Sequence, residues 1–282
     1  MTTKTAPKVR AVRVPPSPYV LPVREWDRMS ELVRMFAMTG WLKNARVQSM
    51  LLISEPGSGK SELLDRFMVN SWLDYASDLT SQGLHPILKL MKAGSVTHIV
   101  ATEFQKFFSR KSATAAATLG LLCQMMEEGV RTTRIGQQVV EFDGAQGGVI
   151  GAITHKTAAE WNKTFLEYGF WSRCAGFEWT MPLDEMRGVM RSISNGDRRD
   201  LEPLTIVTPH KKTHVEFPAA LSVQFEDFVF KRMMKHTVIR VFQRFRALAM
   251  ACALLDGRDT VHARDVEKVV AFDPYWSKMV KG

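Results

Sequence analysis

An α/β fold with a parallel sheet, a P-loop αβα sandwich joined to a smaller, mostly helical C-terminal module, is what this sequence predicts. Three observations carry that expectation. Met50, Leu51, Leu52 and Ile53 form an apolar run with no polar break, as a strand buried on both faces requires. Pro56, Gly57 and Gly59 then force a tight loop ending on Lys60 and Ser61, and Leu63, Leu64, Phe67 and Met68 recur beyond it at helical spacing. Strand, glycine-rich loop, Lys-Ser and helix, in that order, are the context of a phosphate-binding loop. Glycines let backbone N–H groups turn onto phosphates, and the helix N-terminus adds partial positive charge. Glu55, Pro56, Gly57, Ser58, Gly59, Lys60, Ser61 and Glu62 are therefore the expected nucleotide-binding residues. Lys60 would reach the β- and γ-phosphates, and the Ser61 hydroxyl would hold Mg²⁺. The chain departs from the strict pattern G-x-x-x-x-G-K-[ST] at its first position, where it has Ser54.

The chain of 282 residues has room for one large domain or a main domain with a smaller one. With 45% hydrophobic and 24% charged residues it is globular rather than disordered. A formal charge of +9 favours an acidic partner, nucleic acid first. Cys123, Cys174 and Cys252 are odd in number and widely spaced, which reads as packed, reduced thiols of an intracellular, cytoplasmic protein. No apolar run is long enough for a membrane helix, and no signal peptide is visible, so no membrane association is expected.

Along the chain, residues 1–22 mix Lys4, Lys8, Arg10 and Arg13 with Pro7, Pro15, Pro16, Pro18 and Pro22. They read as a basic tail, either solvated or lying on DNA or a neighbouring subunit. Residues 26–38 place Met29, Leu32, Val33, Phe36 and Ala37 on one helical face. Residues 73–84 suggest a strand running into a polar loop. Residues 96–104 form a β-rich run ending on Glu103, the one acid at that strand end. In P-loop ATPases acids at this place hold Mg²⁺ and polarise the attacking water, and the usual preceding Asp is Thr102 here. Asp143 is the acid next in line. A helix is predicted over 114–128, a hairpin over 131–142 about Gly136, a buried strand over 148–154 ending on Thr154, a helix over 161–169 and a strand over 177–181.

Pro182 opens a different composition. A helix over 183–193 precedes a hairpin pairing 204–207 with 214–217, then helices over 225–235 and 238–255 and a short one from Ala263. The expected organisation is a tail (1–22), an ATPase core (23–181) and a helical domain with a β-hairpin insertion (182–282). The pairs His210/His214 and His155/Glu160 lack a third ligand, so no metal beyond Mg²⁺ is expected. Trp161, Trp171, Trp179 and Phe170 read as core rather than a base-stacking platform. Asn162-Lys163-Thr164-Phe165 lacks the Asp that guanine recognition uses.

The succession of strand, P-loop, acid-ended strand, polar-ended strand, Ser-Arg after a helix and helical module resembles AAA+ ATPases. The stretch from Arg240 through Ala253-Leu254-Leu255-Asp256-Gly257-Arg258 to Asp265-Val266 resembles the lid of the MoxR and MCM-like branch. The resemblance implies an Mg²⁺-dependent ATPase with ATP as cofactor, working as a homo-oligomer, a hexameric ring above all. It makes Lys60 and Ser61 the Walker A pair, Glu103 the Walker B acid and second Mg²⁺ ligand, and Thr154 the sensor of the γ-phosphate. Arg173 matches the arginine finger that reaches a neighbour's site. Arg240 matches the lid's sensor arginine, with Arg244 and Arg246 about a turn later as alternatives. Plainer roles stand beside these: a surface ion pair for Arg173, a solvated helix face for Arg240, a strand end for Thr154.

Three functional readings follow. In the first the ATPase remodels DNA or a nucleoprotein complex as a replication, helicase-like or loading factor, with Arg131 and Arg134 on the hairpin and the basic tail meeting DNA. In the second a MoxR-like ATPase remodels a protein partner. In the third Thr102 and Ser54 mark a scaffold that binds ATP but hydrolyses it slowly.

Overall fold

The computed structural model describes residues 24–108, 112–135, 138–195, 202–230 and 238–277. Helix α1 (Arg24–Met38) leads through a 3₁₀ turn (Thr39–Trp41) into β1 (Ser49–Ser54), followed by α2 (Lys60–Asp65), β2 (Leu73–Tyr75) and α3 (Leu84–Lys92). Next come β3 (His98–Ala101), a 3₁₀ turn (Phe104–Phe108), α4 (Ser112–Glu127) and the strands β4 (Val130–Ile135) and β5 (Gln138–Ala145). Then follow β6 (Gly148–Thr154), α5 (His155–Glu167), the single-turn α6 (Phe170–Arg173) and β7 (Cys174–Glu178). Helices α7 (Leu183–Ser194), α8 (Ala219–Phe230), α9 (Val238–Leu255) and α10 (Ala263–Ala271) complete the order, with a last 3₁₀ turn at Asp273–Tyr275.

Five strands form one parallel sheet in the order β2-β3-β6-β1-β7, while β4 and β5 make a separate antiparallel hairpin. The α/β expectation holds at this level: a five-stranded parallel sheet with helices on both faces. Alternate residues of β1 feed opposite layers. Met50 and Leu52 join Met29 and Phe36 of α1, Leu63 and Leu64 of α2 and the helices α8 to α10. Leu51 and Ile53 join the layer of α3, α4, α5 and α6. All six residues of β1 are buried, which explains a run with no polar break. His98 fits into the sheet because Gly148 stands beside it; a Cβ at Gly148 would come within 2.3 Å of the ring.

Five local expectations are corrected. The helix after the glycine loop, predicted over 62–70, stops at Asp65, and turns follow it. Asn70 holds those turns by donating to the Phe67 carbonyl at 2.8 Å. The strand predicted over 177–181 lies at Cys174–Glu178, and α5 begins at His155 rather than 161 because Thr154 caps it. The helix predicted over 225–235 starts earlier, at Ala219. The hairpin of 204–207 with 214–217 does not form. Residues 202–217 run as an extended strap whose backbone bonds elsewhere: Leu204 N–H donates to Arg66 O at 2.7 Å, Thr213 N–H to Trp41 O at 2.8 Å and Glu216 N–H to Asp259 O at 2.7 Å. An extended segment satisfied by distant partners has the same β-rich pattern as a hairpin arm.

Pro182 does not interrupt the core. Trp276 packs against Phe177 of β7 (ring centroids 4.6 Å apart) and Phe245 of α9 (4.9 Å), and α9 lies on α1. No described helix is long and apolar enough to cross a membrane. The basic tail, 1–22, lies outside the described residues, as does the Arg134 side chain.

Candidate nucleotide site and an arginine-lined edge

β1 is an inner strand, between β6 and β7, and its last residue, Ser54, pairs in register with Thr154. The chain then turns through residues 55–59 with φ of +76° at Gly57 and +79° at Gly59, a conformation glycine adopts without strain. Nothing lies within 4 Å of where a Gly57 Cβ would be, so the crest of the loop is open. Lys60, only 8% exposed, folds back onto this loop. Its Nζ donates to Glu55 O at 2.7 Å, Ser54 Oγ at 2.9 Å, Ser54 O at 3.1 Å and Ser58 Oγ at 3.1 Å. Ser54, the residue that departs from the strict motif, thus supplies a hydroxyl to the lysine and also contacts the Ser58 hydroxyl. Burial lowers the Lys60 pKa to about 8 although Glu55 and Glu62 oppose the shift. The ammonium has carbonyls and hydroxyls around it but no bonded carboxylate, so an anion entering the loop would meet a cation short of counter-charge.

The Ser61 hydroxyl donates to Thr102 O at 3.2 Å, tying the loop to the end of β3. The Glu103 carboxylate, one residue on, is half-buried and pairs with Lys106 at 2.6 Å. Thr154 accepts from Thr157 N–H at 3.2 Å as the N-cap of α5. Asp65, on the Ser61 face of α2, is held up to about 6, first by burial and then by Glu62. One end of the sheet thus carries Glu55, Lys60, Ser61, Glu103 and Thr154. No family model and no curated protein matches this chain.

Arg173 and Arg240 belong to the opposite end. Arg173 directly precedes Cys174, the partner of Ser49 at the start of β1. β1 spans roughly 16 Å from there to Ser54. Arg240 reaches the same place, donating to Ser172 Oγ at 2.6 Å. The two guanidiniums share one carboxylate, Glu127 at the end of α4: Arg240 Nη2 lies 2.5 Å from Oε1, and Arg173 Nη2 contacts Oε2. Within one chain the structure therefore brings Arg173 and Arg240 together and separates both from Lys60. Arg244 is buried beside them and donates to Ser172 O at 3.1 Å, whereas Arg246 stands over the Phe217 ring, 5.4 Å from its centroid. Asp143, on β5 near the start of β6, pairs with Lys92 and is likewise remote from Lys60. Arg131 is exposed on the hairpin. Among the described residues no group of His, Cys, Asp and Glu could hold a metal ion by itself.

Sequence reasoning missed Glu127 and Arg46, and it noted Ser172 only as the neighbour of Arg173, without its contacts to Arg240 and Arg244. Arg46 Nη1 is 3.6 Å from Glu127 Oε1, a contact between residues with no shared motif. No spacing rule could have found them.

Proposed function

We propose that this chain is an AAA+-type, Mg²⁺-dependent ATPase that acts as a ring-like homo-oligomer on DNA or a nucleoprotein complex. The observation that carries the reading is the loop at the end of β1: a left-handed glycine turn with an open crest, and a buried lysine bonded by carbonyl and hydroxyl oxygens and by no carboxylate. The succession of elements supports it: the loop follows β1, Glu103 follows β3 and Thr154 ends β6, all strands of one parallel sheet.

The residues suit the nucleotide. Lys60 would exchange its four loop oxygens for phosphate oxygens, and the open crest at Gly57 lets backbone approach them. Ser61 and Glu103 would hold Mg²⁺, which would neutralise charge on the transferring phosphoryl group; one hydroxyl and one carboxylate suffice for an ion that keeps several waters. Glu103 would orient and deprotonate the attacking water once released from Lys106. Thr154, in register with Ser54, would face the γ-phosphate. Arg131, exposed on the hairpin, would meet DNA.

Thr102 favours a second reading, a scaffold that binds ATP and hydrolyses it slowly, because Ser61 meets its carbonyl where a carboxylate is usual. One set of variants separates them. Lys60→Ala should abolish ATP affinity at the loop in calorimetry without loss of fold, and equal binding would overturn the loop assignment. Glu103→Gln should keep binding and lower turnover by orders of magnitude. Turnover equally slow in wild type and Glu103→Gln would favour the scaffold, whereas undiminished turnover in Glu103→Gln would put the catalytic acid elsewhere. DNA binding measured across a salt series should weaken steeply with ionic strength.

A further inference from the structure

The far end of the sheet holds a second arrangement that the P-loop does not use. A cavity of about 210 Å³ opens between residues 44–48, the end of α4, α6 and α9. Arg46, Arg173, Arg240, Arg244 and Arg246 line it, and Glu127 is the one acid among its lining residues. The formal excess is four positive charges.

Arg244 decides what that excess means. It is 2% exposed, its Nη2 is bonded to the Ser172 carbonyl, and its Nε has no partner among the described residues. The buried Arg173 Nε is also without a partner. Burial lowers the Arg244 pKa to about 10, with Arg240 adding to the shift. A buried guanidinium beside other guanidiniums is costly unless an anion enters. Glu127 cannot serve all of them: Oε1 already faces Arg240 and Arg46, and Oε2 faces Arg173.

We propose that this cavity is an anion site, separate from the P-loop, that takes a polyphosphate such as the terminal phosphates of a nucleotide. Glu127 is its resident counter-ion, which the ligand displaces from Arg173 and Arg240. Planar, forked guanidiniums fixed by Ser172 and Gly169 match phosphate oxygens better than any single lysine would. The site stands on its own geometry and holds whether or not the P-loop binds ATP. Where Arg173 also acts as a finger, the cavity makes it one wall of a preformed socket.

Two sources supply this chemistry, free polyphosphate and the nucleotide carried by a second copy of the chain. The test removes the P-loop first. Lys60→Ala protein titrated calorimetrically with inorganic tripolyphosphate should bind one equivalent, and adding Arg240→Ala or Arg46→Ala should weaken binding roughly tenfold or more. Glu127→Gln on the same background should tighten it by a similar factor, because a competing carboxylate is gone. A residue that merely supported the fold would change affinity in the opposite direction. Sedimentation separates the sources. Lys60→Ala that stays monomeric at saturation takes free ligand, whereas ATP-dependent association of Lys60→Ala with Arg240→Ala chains assigns the anion to a second copy. No binding by Lys60→Ala, no effect of Arg240→Ala and Arg46→Ala, or weaker binding by Glu127→Gln would each overturn the proposal. None of these outcomes alters wild-type ATP binding through Lys60, so the two sites fail separately.

Discussion

His98 and Asp65 are two titratable groups that the fold holds in opposite electrostatic error. His98 is fully buried, with Nε2 bonded to Gln48 O at 3.1 Å and Nδ1 to Thr97 Oγ1 at 2.9 Å. Burial lowers its pKa to about 4 against the hydrogen bond to Gln48. The folded state then binds fewer protons than the unfolded state between pH 6.5 and 4, so stability falls as pH falls through that window, by about 3 kcal/mol in the limit. Asp65 has the reverse sign. Held up to about 6 by burial and Glu62, it costs stability above pH 6, and the cost is relieved between pH 6 and pH 4. Asp65→Asn should therefore stabilise the protein at pH 7 by about 1 kcal/mol after allowance for its partial exposure, and not at pH 4. Urea midpoints at the two pH values check this. An equal gain at both would show that the carboxyl charge is not the cause. The variant should also lose stability more steeply on acidification, since the Asp65 contribution that opposes the histidine slope is gone.

Single elements show what a sequence conveys and what it withholds. β1, the glycine loop and α4 were legible because each is specified by neighbours within a few positions: four apolar residues, two glycines before Lys-Ser, and leucines at helical spacing. The strap was not. Its pattern of Leu204, Ile206, Val215 and Phe217 says "extended", but its partners are elsewhere: Asn70 lies 134 positions from Leu204, and Asn44 lies 171 from Val215. The glycine-loop end of the sheet, proposed to hold nucleotide, was legible for the same reason as β1. The arginine edge was not, because Arg240 and Ser172 are 68 positions apart and meet only through the packing of α9 beside α6. Asn70 gives a test of the strap. It is buried, accepts from Ile206 N–H at 2.8 Å and donates to Leu204 O at 2.8 Å. Asn70→Ala leaves both backbone groups unpaired and should cost roughly 3 kcal/mol. Faster tryptic cleavage at the exposed Lys211 or Lys212 should accompany the loss. An unchanged urea midpoint with unchanged cleavage would show that the strap is held by other contacts.

For the whole molecule the decisive separation is between Lys60 and Arg173, at opposite ends of the strands that carry them. A chain so arranged cannot bring its own Arg173 to its own loop, so the proposed hydrolysis needs a second copy. Fingers of this kind contribute about 10³–10⁵ in rate. Arg173→Ala should bind ATP nearly as wild type and turn it over slowly. Mixed with Lys60→Ala it should recover part of the activity, because some interfaces then pair an intact loop with an intact arginine. Wild-type turnover by Arg173→Ala, or light scattering that shows a monomer with ATP present, would remove the ring from the proposal.

The covering of the sheet margins bears on how such copies can meet. On β7, the Ser277 N–H donates to Gly176 O at 2.9 Å, and Trp276 bridges Phe177, so backbone groups open to a neighbour are already engaged. At the other margin β2 is three residues long. Neither side presents a long row of free donors and acceptors, the feature that lets one sheet extend into another molecule and become hard to dissolve. Contacts between copies in the proposed ring would then be made by side chains rather than by strand pairing, and need not lock the copies together. Reversibility of assembly would follow from the way the last described residues lie along β7.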